Sequence, residues 1–372
     1  MAVRIREVHT PGERKRFIKF PWKIYRGDRN WVPPLLQERL AFLNPKKNPF
    51  FDHSEVALFM ALDGTGNEVG RIAAIINHNH IRTHNEKTGF FGLFESIDNP
   101  EVAHRLFEAA ADFHRSSGMM VMRGPENMSV NDDLGLLVDG FDSPPFLMMP
   151  HNPAYYPSLV ESFGFAKAMD LYAYQGITST TNAERLKRGV EVSIRRYHIT
   201  IRTVNMKDFG GELKRIQRLY NEAWEQNWGA VAMTDREFEY LAKDLKQILD
   251  PDLCLLAEVD GKTVGFSLAL PDFNQVLIHI NGRLFPVGIF KLLYYRRRIN
   301  RVRVLTMGVL KEYRRMGVDM SFVYESYRCG LRKGYDSGEM SWILENNGPM
   351  NNALLNLNYR VHKTYRLYDY RL

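Results

Sequence analysis

Between Tyr313 and Met320 the chain reads Tyr-Arg-Arg-Met-Gly-Val-Asp-Met, two cations and a glycine at the junction of an apolar run and an amphipathic one. A glycine there lets the backbone turn tightly and approach a ligand. Successive free amides at a helix start, backed by the positive end of the helix dipole, can then hold a diphosphate. The competing reading is an ordinary strand-to-helix turn carrying a surface arginine pair.

Such a loop needs a strand before it and a helix after it. The β-branched and apolar run from Val302 to Leu310, ended by Lys311-Glu312, supplies the strand. Met320, Val323, Tyr324, Tyr327 and Leu331 then form one apolar stripe at helical spacing, which predicts a helix lying back on the sheet.

With these elements in place, Val309-x-x-x-Tyr313-Arg314-x-x-Gly317-x-Asp319 resembles the acyl-CoA loop of the GNAT superfamily of N-acyltransferases. That pattern is Gln or Arg, two residues, Gly, one residue, then Gly or Ala. Arg314 and Gly317 fit, and Asp319 stands where the family has a small residue. The resemblance implies a coenzyme A thioester, acetyl-CoA or a longer acyl-CoA. It would be bound by Met307 and Val309 of the strand, by Arg314, Arg315, Met316, Gly317, Val318 and Met320 of the loop, and by Asn347, which matches the family's usual asparagine. It also implies direct attack by an amine on a thioester whose oxygen is polarised by backbone amides near Gly308 and Val309. Glu345, ending the strand that resembles the fifth of the family, is then the candidate base, with a surface salt bridge as its alternative role. Leu354 falls where many GNAT enzymes have the tyrosine that protonates the leaving thiolate, so Tyr359 and Tyr313 are the candidates to replace it.

Composition narrows the setting. A chain of 372 residues with 45% hydrophobic content carries about two domains. A formal charge of +7 favours anionic partners without choosing among nucleotide, membrane surface and nucleic acid. Cys254 and Cys329 are far apart and offer neither a disulfide framework nor a metal-ligand spacing, so no metal is expected. No run reaches the ~20 apolar residues of a membrane span, and the N-terminus lacks the pattern of a signal peptide. The expected location is the cytoplasm, including the inner membrane surface.

Along the chain, Val3 to Val8 reads as a strand and Pro11 to Tyr25 as a basic helical stretch. The apolar, proline-rich segment from Asp28 to Phe51 reads as packing at a domain seam or a lid over a groove. Glu55 to Leu62 and Glu68 to Ile76 form a hairpin around Asp63-Gly64-Thr65-Gly66-Asn67, followed by strand Phe90 to Phe94, a helix begun by Asn99-Pro100, and strand Met119 to Met122. That is the GNAT order, closed by Tyr156 to Phe165 and a strand from Met169 to Gln175. Glu95-Ser96-Ile97-Asp98-Asn99 has no glycine or cation where the acyl-CoA loop should be, which implies a degenerate copy. A second copy opens at Ile199 to Val204, with helices from Asp208 to Gln226 and Asp235 to Ile248 and a hairpin around Asp260-Gly261. The expectation is an α/β (α+β) protein of two GNAT-like domains in tandem, each a mixed, mostly antiparallel twisted sheet flanked by helices. Residues 1–180 form the degenerate domain, 181–198 a linker or connecting helix, and 199–372 the domain with the acyl-CoA loop.

Residues 283–303 interleave apolar and aromatic side chains with seven basic ones. This is either a core helix followed by a charged turn or a segment that makes peripheral contact with an anionic membrane. Two classes of function stand: an N-acyltransferase acting on an amine, with a small or lipid-like, sphingoid-type acceptor, and a non-catalytic module that binds acyl-CoA or lipid. The paired domains are also similar to tRNA-dependent peptidyltransferases, the one route by which nucleic acid would enter as an aminoacyl-tRNA donor.

Overall fold

The computed structural model of the chain describes residues 2–224 and 227–372. It divides into two compact units. The N-terminal unit comprises Met1–Leu171, Val276–Tyr294 and Lys363–Leu372, and the C-terminal unit comprises Tyr172–Gln275 and Tyr295–His362. Residues 276–294 and 363–372, expected in a domain spanning 199–372, therefore pack with the first unit. The expected linker at 181–198 is the helix Ala183–Tyr197, which buries Leu186 and Val190 in the C-terminal unit.

In the N-terminal unit the strands are β1 (Arg4–Glu7), β2 (Ser54–Leu62), β3 (Glu68–Asn77), β4 (Thr88–Ser96), β5 (Val121–Gly124) and β6 (Leu136–Asp139). The hairpin β2–β3 turns on Asp63, whose carboxylate accepts from the amides of Thr65 and Asn67 at 2.9 and 2.8 Å. The basic stretch is two consecutive helices, Pro11–Lys19 and Pro21–Ile24, because Pro21 lacks the amide to continue the first but fits the start of the second. The proline-rich segment packs Phe42, Leu43 and Phe50 into the unit's core and contains the helix Leu36–Phe42. β4 and β5 pair in parallel, from Thr88↔Val121 to Phe90↔Arg123, while the other pairs are antiparallel. Asn99 caps the helix Pro100–Ser116 by accepting from Glu101 and Val102. Val102, Leu106, Phe107 and Ala110 on one face of that helix are fully buried.

The C-terminal unit repeats the order. β8 (Ile199–Thr203) pairs with β9 (Cys254–Val259), which joins β10 (Lys262–Pro271) through Asp260 and Gly261, both at positive φ. β11 (Arg301–Val309) is antiparallel to β10 and parallel to β12 (Ser337–Leu344). The helix Phe209–Trp224 buries Leu219 against Phe266; Glu225 and Gln226, its expected end, lie outside the described residues. The helix Val318–Lys333 packs Val318 and Phe322 against Leu255 and Val264. Two further strands, β7 (Ala166–Ile177) and β13 (Arg360–Arg371), have residues in both units. Each unit is thus a mixed, mostly antiparallel sheet flanked by helices.

Candidate active site

β11 and β12 are hydrogen-bonded neighbours over only part of their length. Their register runs from Arg301↔Ser337 to Val304↔Met340 and stops, although β11 continues to Val309 and β12 to Leu344. The ladder between β10 and β11 shifts at the same point, Leu268 facing Thr306 and Ala269 facing Val304, so Leu305 is an extra residue. A bulge bends its strand, and here it turns β11 away from β12. Past Val304 the two strands leave a gap.

The main chain along that gap can be assigned by alternation. The Leu310 amide donates to the Val264 carbonyl of the β10 hairpin at 2.9 Å, so the N–H and C=O groups of Val309 and Met307 project from the opposite edge. Their carbonyls are taken: Trp224 Nε1 donates to Met307 O at 3.4 Å and Arg314 Nε to Val309 O at 3.2 Å. The two amides find no acceptor among the described residues. They are donors aimed where the ladder has opened, which is the arrangement needed to hold a carbonyl oxygen gaining negative charge.

The loop beyond β11 has the backbone its sequence requires. Arg315 and Gly317 lie at φ 72° and 81°, and Gly317 precedes the helix Val318–Lys333 without any side chain capping it. First-turn amides of a helix have no intrahelical acceptor, so those after Gly317 stay available to an anion. Asp319 is in that first turn and does not cap it. A Cβ on residue 317 would meet Ser193 Oγ at 2.4 Å, so glycine is demanded by both φ and space. Arg314 braces the loop, its Nη2 donating to Ala223 O at 2.6 Å besides the bond to Val309. Arg315 is exposed.

Apolar side chains flank the opening on the face covered by the helix Val318–Lys333. Val304, Met307, Met320, Tyr324, Ile343 and Met350 are partly buried against a core of Val323, Met340 and Leu354. Methionine adapts to a flexible chain, and three stand here. Leu354, expected in place of an acid, is fully buried. Asn347 caps the helix Gly348–Asn356, accepting from the Met350 amide at 3.3 Å. Glu345 follows β12 in a turn, where its carbonyl accepts from Asn351. Tyr359 packs in the core over Gly176, with burial pushing its hydroxyl up to about 12. Tyr313 is partly buried beside Leu310 and Phe322, whereas Tyr359 belongs to the Leu354 cluster, so the two candidate acids stand apart.

Sequence reasoning passed over a buried polar group at the apex of the gap. Arg303 and Glu339 are register partners, 1% and 0% exposed, and Ser341 is the first residue on their face of β12 after the last pair. Ser341 Oγ donates to Glu339 Oε1 at 2.6 Å, and Arg303 Nε donates to Ser341 Oγ at 2.9 Å. His362 Nε2 stands 2.7 Å from the other oxygen, Glu339 Oε2. The Arg303 guanidinium also lies 4.9 Å from the centre of the Trp342 ring. A carboxylate removed from water must be matched by hydrogen bonds and positive charge, and this one is matched on both oxygens. Thr306, two residues past the last pair, carries a buried hydroxyl with no partner among the described residues. The only signal in the sequence was a charge inside each of two apolar runs, Arg303 between Val302 and Val304 and Glu339 beside Met340. Without the register these read as two solvent faces.

Among the described residues no cluster of histidine, cysteine and acidic side chains could hold a metal ion, and no helix is long and apolar enough to cross a membrane.

The arrangement of strands and helices has a solved counterpart. A tandem GNAT protein from the clavulanic acid biosynthesis pathway superposes with a TM-score of 0.59 over 100% of this chain and 98% of that one, at 9% identity, which identifies the fold. In sequence, the chain is 38% identical over 373 residues to the bacterial ceramide synthase of Caulobacter vibrioides (strain NA1000 / CB15N), covering 97% of this chain and 96% of that protein. The chain belongs to the same family as this bacterial ceramide synthase and has the tandem GNAT fold. Protein YghO of Escherichia coli (strain K12) is a further relative of this family member, 37% identical over 98% of this chain and 94% of its own length. No family model matches the sequence.

Proposed function

We propose that this GNAT family member is an acyl-CoA-dependent N-acyltransferase whose C-terminal unit holds the acyl-CoA and whose acceptor is a long-chain amine of the sphingoid type. The observation that carries the reading is the gap between β11 and β12, with the Met307 and Val309 amides facing it beside the uncapped turn at Gly317. The relative's name supports the acceptor, because a ceramide is an N-acylated sphingoid amine. The apolar flank with Met307, Met320 and Met350 supports a long acyl chain over an acetyl group.

In this mechanism the amides after Gly317 bind the diphosphate, and the Met307 and Val309 amides hold the thioester oxygen as charge develops on it. The amine nitrogen attacks the carbonyl carbon, the C–N bond forms, and the C–S bond breaks to release a thiolate. The proton leaving the nitrogen goes to the His362–Glu339 pair, in which His362 Nε2 stands 2.7 Å from Glu339 Oε2. Returning it to the thiolate gives the free thiol and closes the balance. Glu345, in the turn after β12, is the second candidate for the same proton.

The test is thiol release from a long-chain acyl-CoA with a sphingoid base as acceptor, with identification of the amide product by mass. Turnover that falls when the acyl chain is shortened to acetyl supports the proposal. A second reading, a binding module, is favoured by the buried Leu354 and by Asp319 in the first helical turn. It predicts thermal stabilisation by acyl-CoA without turnover on any amine.

A further inference from the structure

The segment from Phe285 to Tyr294 leaves large apolar side chains in solvent. Its helix, Gly288–Tyr295, has Lys291 as its one charged residue, with Phe290, Leu293 and Tyr294 exposed and Ile289, Leu292 and Tyr295 half-buried. Phe290 is 71% exposed and Phe285 69%, with Val287, Leu293 and Tyr294 each more than half exposed. Single exposed apolar residues are ordinary, but five large ones within ten residues form a patch that marks an interaction surface. The segment is held in place by its other side. Trp22 Nε1 donates to Asn281 Oδ1 at 2.8 Å, the Leu36 amide donates to Gly282 O at 3.0 Å, and a Cβ on Gly288 would meet Arg283 O at 2.1 Å.

The surroundings of this patch are basic. Arg283, two residues before Phe285, lines a cavity of about 210 Å³ with Lys15 and Lys19 from the helix Pro11–Lys19, over a floor of Ile18, Leu36 and Leu40. Lys291 lies within the exposed helix and anchors to His279 O at 2.8 Å. Three cations around an apolar cavity, next to protruding aromatic side chains, match the layering of an anionic bilayer: phosphate outside, hydrocarbon within.

We infer that this face of the N-terminal unit docks on an anionic phospholipid bilayer. Phe285, Val287, Phe290 and Leu293 enter the headgroup boundary, while Lys15, Lys19 and Arg283 meet lipid phosphates. The partner is a membrane surface and not a second copy of the chain, because the basic rim repels itself and is complementary to anionic lipid. The docking deepens the lipid-amine reading by placing the enzyme where such an acceptor resides. It is read out separately from catalysis.

The experiment is co-sedimentation of the full chain, without acyl-CoA, with phosphatidylcholine vesicles and with vesicles containing phosphatidylglycerol. Retention is expected on the anionic vesicles alone. The triple variant Lys15→Gln, Lys19→Gln, Arg283→Gln should weaken it by about two orders of magnitude, roughly five-fold per cation. Phe285→Ser with Phe290→Ser should weaken it at least ten-fold. Both variants lie outside the acyl-CoA site and should keep wild-type turnover on substrates in detergent micelles, which also reports that they fold. Equal retention of wild type and variants, no retention of wild type, or a serine variant that changes oligomeric state but not vesicle binding would overturn the inference. Any of these would leave the acyl-transfer reading standing.

Discussion

The two halves of the molecule contain the same opening and treat it in opposite ways. In the N-terminal unit the parallel pair β4–β5 ends at Phe90↔Arg123 while β4 runs on to Ser96, as β11 runs on to Val309 past its last pair with β12. There the gap is closed by the chain itself. The Glu126 amide donates to Phe91 O at 2.8 Å, Asn127 Oδ1 accepts from the Leu93 amide at 2.7 Å, and the Glu126 carbonyl lies against Gly92 so closely that a Cβ there would sit 2.1 Å from it. At the far end the Ser96 amide is taken by the Tyr156 hydroxyl, and Asn99 caps the following helix with its own side chain. In the C-terminal unit the corresponding amides keep no acceptor among the described residues, and glycine replaces the capping asparagine. One fold can therefore be a scaffold or a binding site, depending on whether its split strands satisfy their own hydrogen bonds.

The buried acids sharpen the contrast. Burial raises Glu95, whose carboxyl accepts from the hydroxyls of Tyr25 and Tyr156 at 2.9 and 2.7 Å, while Arg71 opposes the rise. Glu126 is pushed up to about 8 by burial and by the nearby Asp132. Glu339, equally buried, instead connects to His362, a group able to carry a proton away.

The largest expected effect concerns that connection. His362→Ala and Glu339→Gln should each lower turnover by about 10²–10⁴-fold, with acyl-CoA binding retained in a thermal-shift assay. Imidazole should partly restore the alanine variant. Unchanged turnover in both variants would remove the proton-acceptor role. Next is Glu126. An acid raised to about 8 in the folded state and titrating near 4.5 when unfolded stabilises fully below about pH 4.5, and that contribution is lost as pH rises through 8. Glu126→Gln should therefore be neutral at pH 4.5 and more stable than wild type by a few kcal/mol, roughly, at pH 9. Urea melts at the two pH values decide it, and an equal difference at both would show that Glu126 is ionised throughout.

Asn127→Ala tests the filled gap directly. It leaves the Leu93 amide without its acceptor and should cost about 1–3 kcal/mol in chemical denaturation, without creating a second acyl-CoA site by calorimetry. A stoichiometry of two would mean that one side chain keeps the N-terminal unit closed. The smallest change is Asp319→Asn, which removes a negative charge from the turn expected to hold the diphosphate. Affinity for CoA should rise about two- to five-fold, the ordinary size of a charge effect at a helix start. No change would place the diphosphate elsewhere.

Local chemistry made much of this legible in the sequence. The apolar run of β11, the glycine at 317 and the stripe after it fixed a strand, a turn and a helix, because φ > 0 and helical periodicity are properties of neighbouring residues. Asp63 and Asp260-Gly261 likewise announced their hairpins, and Asn99 its helix. The absence of glycine and cation near Ser96 was plain in the sequence. The filling of the gap could not be read there, since Asn127 reaches Leu93 across 34 residues.

The remainder depended on register and on long-range contact. Arg303, Ser341 and Glu339 form one group only because Arg303 faces Glu339 across a parallel pair, and His362 joins them from 23 residues beyond Glu339. Tyr359 lies in a core cluster and Asn347 at a helix cap, placements that only the folded neighbours reveal. Sequence determined which segments could be strand, turn or helix, since those choices are made within a few residues. Tertiary structure decided which amides were left open and which charges were buried together, because both depend on what a folded neighbour does or does not supply.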